Sequence, residues 1–169
     1  ILRENPFYAE SGGQVSDRGE VLGAGWRLLV DEVRRVEGKT AVFGPYGGPF
    51  EPTPVQALVS EPLRRDTERN HTATHLLHAA LRKVLGTHVL QAGSLVAPDH
   101  LRFDFSHGSG VKDRELVDIQ DLVNEQVQKN VPVQRMEMSL DEALRVGAMA
   151  LFGEKYGQRV SVVRIGDFS

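Results

Sequence analysis

The densest chemical signal in the 169-residue chain is His71-Thr72-Ala73-Thr74-His75. Residues four apart on a helix share a face, with Cβ atoms about 5–6 Å apart, so two imidazole nitrogens can converge on one Zn2+ at about 2.0–2.1 Å. The helix itself therefore preorganises two ligands. His78 stands one further turn along, roughly 10 Å of axial rise from His71, too far to share one ion with both. It is read as a supporting or core residue. Spacing alone does not decide for a metal, because histidine pairs arise on helices by chance and a lone pair is more often structural. The second position of the motif is Thr72, where the H-E-x-x-H motif of zinc peptidases carries the glutamate that acts as general base. A peptidase is therefore a poor reading.

The chain has no cysteine, so disulfides and thiolate ligands are excluded and any metal must be held by His, Asp or Glu. A formal charge of −3 argues against a strongly basic nucleic-acid binder, which works by neutralising many phosphates; any RNA contact must be local. With 40% hydrophobic and 25% charged residues, the composition is that of a globular protein. No apolar run approaches the roughly 20 residues of a bilayer-spanning helix, and no basic-then-apolar secretory signal opens the chain. A cytoplasmic origin with no membrane partner is the simplest expectation. Ile1 and Ser169 read as cuts through a longer protein.

The elements that position the histidines follow from periodicity. Residues 1–58 are rich in Gly and Pro, with short apolar runs at Trp26-Arg27-Leu28-Leu29-Val30 and Ala41-Val42-Phe43, which predicts a small β subdomain of short strands and tight turns. Gly47 to Pro54 reads as a linker, since Pro lacks an N–H and Gly loses most conformational freedom on ordering. Residues 59–169 form the second domain. A long helix is expected from near Pro62 to Leu85, with Ser60 as N-cap and Gly86 just past its end. At about 100° per residue, Ala73, Leu77, Ala80, Leu81 and Val84 share its apolar face, and the histidines border that face. Strands are expected over His88–Val96 and Leu101–Phe105. An amphipathic helix carrying Leu116, Ile119, Leu122, Val123 and Val127 is stopped by Asn130-Val131-Pro132, a short helix is opened by a Ser139/Glu142 capping box and ended by Gly147, and Val160, Val162, Val163 and Ile165 make a closing strand. The order is that of an α+β fold with helices packed on one face of a largely antiparallel sheet.

The run Arg69-Asn70-His71-Thr72-Ala73-Thr74-His75-Leu76-Leu77-His78-Ala79-Ala80-Leu81-Arg82, then His88 to Val96 and Leu101 to His107, resembles the editing domain of bacterial alanyl-tRNA synthetases. Asn5 to Gln14 resembles the glycine-rich segment that precedes it in that family, and Gly147 to Tyr156 a later block. The resemblance covers nearly the whole chain. It implies a small β-barrel-like subdomain followed by an α+β domain, related to free-standing alanyl-tRNA editing proteins and to the editing domain of threonyl-tRNA synthetase. The implied activity is hydrolysis of the ester joining serine or glycine to the tRNA for alanine, whose acceptor end would be the partner together with the other domains of the parent synthetase.

The resemblance also implies a zinc site built from His71 and His75 with a Cys and a His of a Cys-Gly-Gly-Thr-His-like segment. That segment follows a Gly-Asp-Phe-Ser stretch in the family, and here Gly166-Asp167-Phe168-Ser169 closes the sequence. Zn2+ is thus expected in the intact parent, and weak or absent in this chain, where two tetrahedral positions lack ligands. Gln91 matches a family position in the editing pocket, where its amide can exchange hydrogen bonds with the hydroxyl of serine. Gln91 and Thr72 are the candidate catalytic residues, with an exposed strand Gln and a Thr bonded back to its own helix as the ordinary alternatives. Ser11, Gly12, Gly13 and Gln14 are candidates for substrate binding, because Gly permits close backbone approach, and Arg69 is a candidate phosphate contact. Two other functions compete with editing of alanine tRNA: a docking module that holds the acceptor end without turnover, and an editing domain of the threonyl type.

Overall fold

The computed structural model of the chain describes residues 2, 4–146 and 158–168. The described residues form β1 (Gly19–Gly23), β2 (Trp26–Val30), β3 (Glu32–Val36), β4 (Lys39–Phe43), β5 (Tyr46–Gly47), β6 (Gln56–Val59), α1 (Glu61–Leu85), β7 (Leu90–Val96), β8 (Leu101–Ser106), α2 (Asp113–Lys129), β9 (Val133–Ser139), α3 (Leu140–Arg145) and β10 (Arg159–Ile165). This is the expected α+β class with antiparallel pairing. Two compact units divide it: Ile1–His71 with Ser94–Arg102, and Thr72–Gly93 with Phe103–Ser169.

In the first unit the strands are ordered β5-β2-β1-β6, and β3 pairs with β4 as a separate ribbon. Alternation explains which faces are buried. Along β2, Trp26 and Val30 are buried while Arg27 and Leu29 are exposed, the period-two pattern of a strand with one dry face. Val21 of β1 and Val33 of β3 join Trp26, Val30 and Phe7 in the core. Each fully buried valine contributes about 1.5–3 kcal/mol over an exposed one. The sheet stays open among the described residues, so the barrel-like closure implied by the resemblance is not seen there. The segment expected as a linker folds back onto the sheet: the Phe50 ring lies 5.3 Å from Trp26, and Trp26 Nε1 donates to the Glu51 carbonyl at 3.2 Å.

In the second unit, Ala80 and Leu81 of α1 pack with Val89 and with Ile119 of α2, and Leu77, Val84, Phe103, Phe105, Leu122 and Val123 surround them. Thr74 is buried, in keeping with its place on the apolar side of the helix. Asn130 takes a left-handed conformation, φ 47°, and ends α2 at the stop that Asn-Val-Pro predicts. The Ser139/Glu142 capping box opens α3: Ser139 Oγ accepts from the Glu142 N–H at 3.2 Å and Glu142 Oε2 accepts from the Ser139 N–H at 2.9 Å. Local pattern does not announce β9. Its sequence, Val-Gln-Arg-Met-Glu-Met-Ser, is mostly polar, and only pairing with β10 from Arg159↔Ser139 to Ile165↔Val133 makes it a strand. Gly147, expected to end α3, and the block to Tyr156 lie outside the described residues.

Candidate functional site

The loop that precedes β1 carries the first part of the site. Gly12 and Gly13 have φ of 58° and 80°, and the flanking residues bond to each other, Gln14 N–H to the Ser11 carbonyl at 3.0 Å and Ser11 N–H to the Gln14 carbonyl at 3.3 Å. Two central residues of positive φ are what a type I′ turn requires, and Gly adopts them at no steric cost. The close approach that glycine permits is made here to Ser94 on β7. A Cβ on Gly13 would collide with Ser94 Oγ and stand 2.7 Å from the Ser94 carbonyl oxygen. With that contact open, Val96 brackets Gln14: its N–H donates to the Gly13 carbonyl at 2.8 Å and its carbonyl accepts from the Val15 N–H at 3.0 Å.

The consequence is placement of one amide. Gln14 Oε1 lies 2.7 Å from His71 Nδ1 on α1. An amide oxygen only accepts, so the contact is a hydrogen bond in the tautomer that carries the proton on Nδ1 and the lone pair on Nε2. Burial pushes the His71 imidazole below its ordinary range, which keeps the ring neutral near pH 7. A neutral imidazole is the form that binds a metal or accepts a proton.

Further contacts from Asn70 and Arg64 hold this part of α1 to its unit. Asn70 Nδ2 donates to the carbonyls of Ala97 at 2.7 Å and Pro98 at 3.2 Å. Arg64 forms an ion pair with Asp17 and donates to the Pro6 carbonyl at 2.8 Å. Asp17, only 9% exposed, also accepts from the Tyr8 N–H at 2.6 Å, closing the base of the loop that carries the glycine turn. None of these partners is evident in the sequence, because each joins residues far apart along it.

Of the other candidates, Ser11 and Gly12 are exposed, whereas Gly13 is half-buried like Gln14. Arg69 is exposed on α1 and pairs with Asp66, and Arg65 pairs with Glu68 at 2.8 Å, so this strip is a solvated face with internal partners. Thr72 and His75 continue α1 into the second unit, both half-buried, and Gln91 is half-buried on β7 of that unit. His75 follows His71 by one helical turn of α1. A hydrogen bond joins the side chains of two of the candidates, Gln14 and His71. His78 is buried, 5.1 Å from the Phe103 ring, and its Nε2 has no hydrogen-bond partner among the described residues. It belongs to the core of the second unit. In that unit His88 Nε2 and His107 Nδ1 also meet at 2.9 Å, a pairing that the sequence does not signal.

A cleft of about 770 Å3 in the first unit lies elsewhere, lined by Glu10, Asp17, Asp31, Glu32, Asp66 and Asp99 against Arg18 and Arg64. Its surplus of carboxylates repels phosphate, and neither Gln14 nor His71 lines it. Among the described residues no three His, Asp or Glu converge as a complete metal cage. Of the expected pair of ligands, His71 offers a neutral imidazole with Nδ1 turned to Gln14, the form in which a histidine can ligate a metal.

The fold and this helix together define an α+β module whose distinctive chemistry is an imidazole-bearing helix met by a glycine-turn amide. A scan against protein-family models finds no match. Over its whole length the chain is 54% identical to the alanine–tRNA ligase of Desulfitobacterium hafniense (strain Y51) and 50% identical to that of Shewanella amazonensis (strain ATCC BAA-1098 / SB2B). It spans 20% of the length of each of these curated relatives. The chain is homologous to that segment of alanine–tRNA ligases.

Proposed function

We propose that this segment is the editing part of an alanine–tRNA ligase, hydrolysing the ester of tRNA for alanine wrongly charged with serine or glycine. The observation that carries the reading is the His71 ring, held neutral by burial with Nδ1 on Gln14, in a chain homologous to these ligases. The need for such a site is physical. A pocket sized for alanine cannot exclude the smaller glycine, and a pocket discriminates only weakly against one added hydroxyl, so a second site must sort by other contacts.

In this reading His71 and His75 would hold a zinc ion, with further donors supplied from outside the described residues. Bound there, zinc polarises an ester carbonyl or a water. The chain's own residues do the rest. Gln14 holds the His71 ring, Gln91 offers an amide that can donate to and accept from the serine hydroxyl, and Thr72 adds a hydroxyl on the same helix. The acidic cleft is a poor phosphate contact, so the acceptor end is not held there.

The test is deacylation of serine-charged tRNA for alanine by a full-length alanine–tRNA ligase carrying this segment, compared with its His71→Ala variant. A loss of at least about 10-fold is expected, since metal ligands and their supporting partners commonly carry 10- to 100-fold effects. Equal rates would remove His71 from the reaction. Salt-sensitive tRNA binding without any turnover would replace the hydrolase reading with a docking one.

A further inference from the structure

We propose that Gln14 is a positioning residue for His71: the Gly12-Gly13 turn, seated on Ser94 and Val96, aims its amide oxygen so that His71 carries its proton on Nδ1 and presents Nε2. The importance of this assignment for hydrolysis rests on the function proposed above, whereas the tautomer itself does not.

The seat begins in the backbone. A side chain at position 13 would collide with Ser94 Oγ and meet the Ser94 carbonyl at 2.7 Å, so only glycine lets the turn seat this closely. Once seated, the parallel bridge between Gln14 and Val96 fixes the backbone of Gln14 on both sides. A long, flexible Gln side chain would otherwise lose much of its rotamer freedom in holding one direction. Anchoring its Cα reduces the conformations left to restrict. The ring end is fixed as well, because Asn70, the preceding residue on α1, grips the carbonyls of Ala97 and Pro98 just beyond β7. The 2.7 Å contact is thus made between two supported groups, 57 residues apart in sequence. A hydrogen bond from one ring nitrogen decides which nitrogen is left to ligate or to accept a proton.

Ring nitrogens report the tautomer directly. Long-range proton–nitrogen correlation spectra of the chain at about pH 8, well above the ordinary imidazole range, are recorded for the wild type, Gln14→Ala and Gln14→Glu. His71 is expected to show a protonated Nδ1 and a bare Nε2 in the wild type. In Gln14→Ala the population shifts toward the Nε2-protonated form, and Gln14→Glu, which still offers an acceptor oxygen, restores the wild-type pattern. A wild-type ring protonated on Nε2, or a Gln14→Ala ring that keeps its proton on Nδ1, overturns the assignment. Zinc affinity measured by chelator competition in a full-length alanine–tRNA ligase carrying this segment, as wild type, Gln14→Ala and Gln14→Glu, supplies the second readout. The Kd is expected to rise about 10-fold or more in Gln14→Ala and to recover in Gln14→Glu. A full-length wild type that takes up no zinc overturns the zinc site proposed above, while the tautomer is decided by the spectra without metal.

Discussion

Replacing Gly13 by Ala tests whether the glycine turn is a seat or merely a turn. Two costs are expected. With φ at 80°, an Ala pays about 1–2 kcal/mol for a left-handed backbone. Its Cβ would also stand 2.7 Å from the Ser94 carbonyl oxygen, well inside ordinary contact, and that oxygen belongs to backbone held in β7. Forcing an extra carbon into a tight site costs about 1–3 kcal/mol, so the total is roughly 2–5 kcal/mol. Gly38 supplies the control. It sits in the β3–β4 turn at φ 76°, and a Cβ there would find nothing within 4 Å, so Gly38→Ala carries only the backbone cost. Urea denaturation of the two variants, analysed by the shift in midpoint at constant slope, isolates the contact with Ser94 as their difference. Gly13→Ala should be the less stable by at least about 1 kcal/mol. It should also loosen the Gln14–His71 bond, visible as a change in the His71 ring signals that Gly38→Ala does not cause. Equal destabilisation, with His71 unchanged in both, would refute the seating argument.

Asp17→Asn keeps an oxygen for the Tyr8 N–H but removes the charge facing Arg64. Breaking a fully buried pair costs about 3–5 kcal/mol, but Arg64 is 36% exposed and can turn to water, so about 1–3 kcal/mol is expected in the urea midpoint. A change below about 0.5 kcal/mol would mean that the base of the loop does not depend on this pair. For His78 the prediction concerns pH. Burial, and then the Arg82 guanidinium, push its imidazole below the ordinary value of about 6.5, so below that pH the unfolded chain binds a proton that the folded chain refuses. Stability should therefore be fully present above the ordinary value and fall as pH drops through it, and His78→Leu should flatten that fall while removing a buried unpaired nitrogen. An unchanged pH dependence in His78→Leu would show that the imidazole is not the group responsible.

Much of this molecule is written in local pattern. The α1 helix is legible from the period of Leu77, Ala80, Leu81 and Val84, and its observed span, Glu61–Leu85, agrees because a long amphipathic run outweighs end effects. The Asn130 stop and the Ser139/Glu142 box are legible for a similar reason: capping is chemistry between residues three or four apart. The His71/His75 spacing and the Gly12-Gly13 pair are equally visible, and so is the likeness to the alanyl family. What sequence does not show is which distant groups meet. β9 carries too few apolar residues to announce itself, and only the ladder to β10 makes it a strand. Phe50, in a run whose prolines and glycines suggest a linker, is held by the Trp26 ring even though it remains 67% exposed. The Gln14–His71 bond belongs to the same class. Nothing within either residue's neighbourhood specifies the other, since a single hydrogen bond across 57 positions leaves no periodicity, and tertiary packing of the turn on Ser94 and Val96 is what brings amide and imidazole within reach.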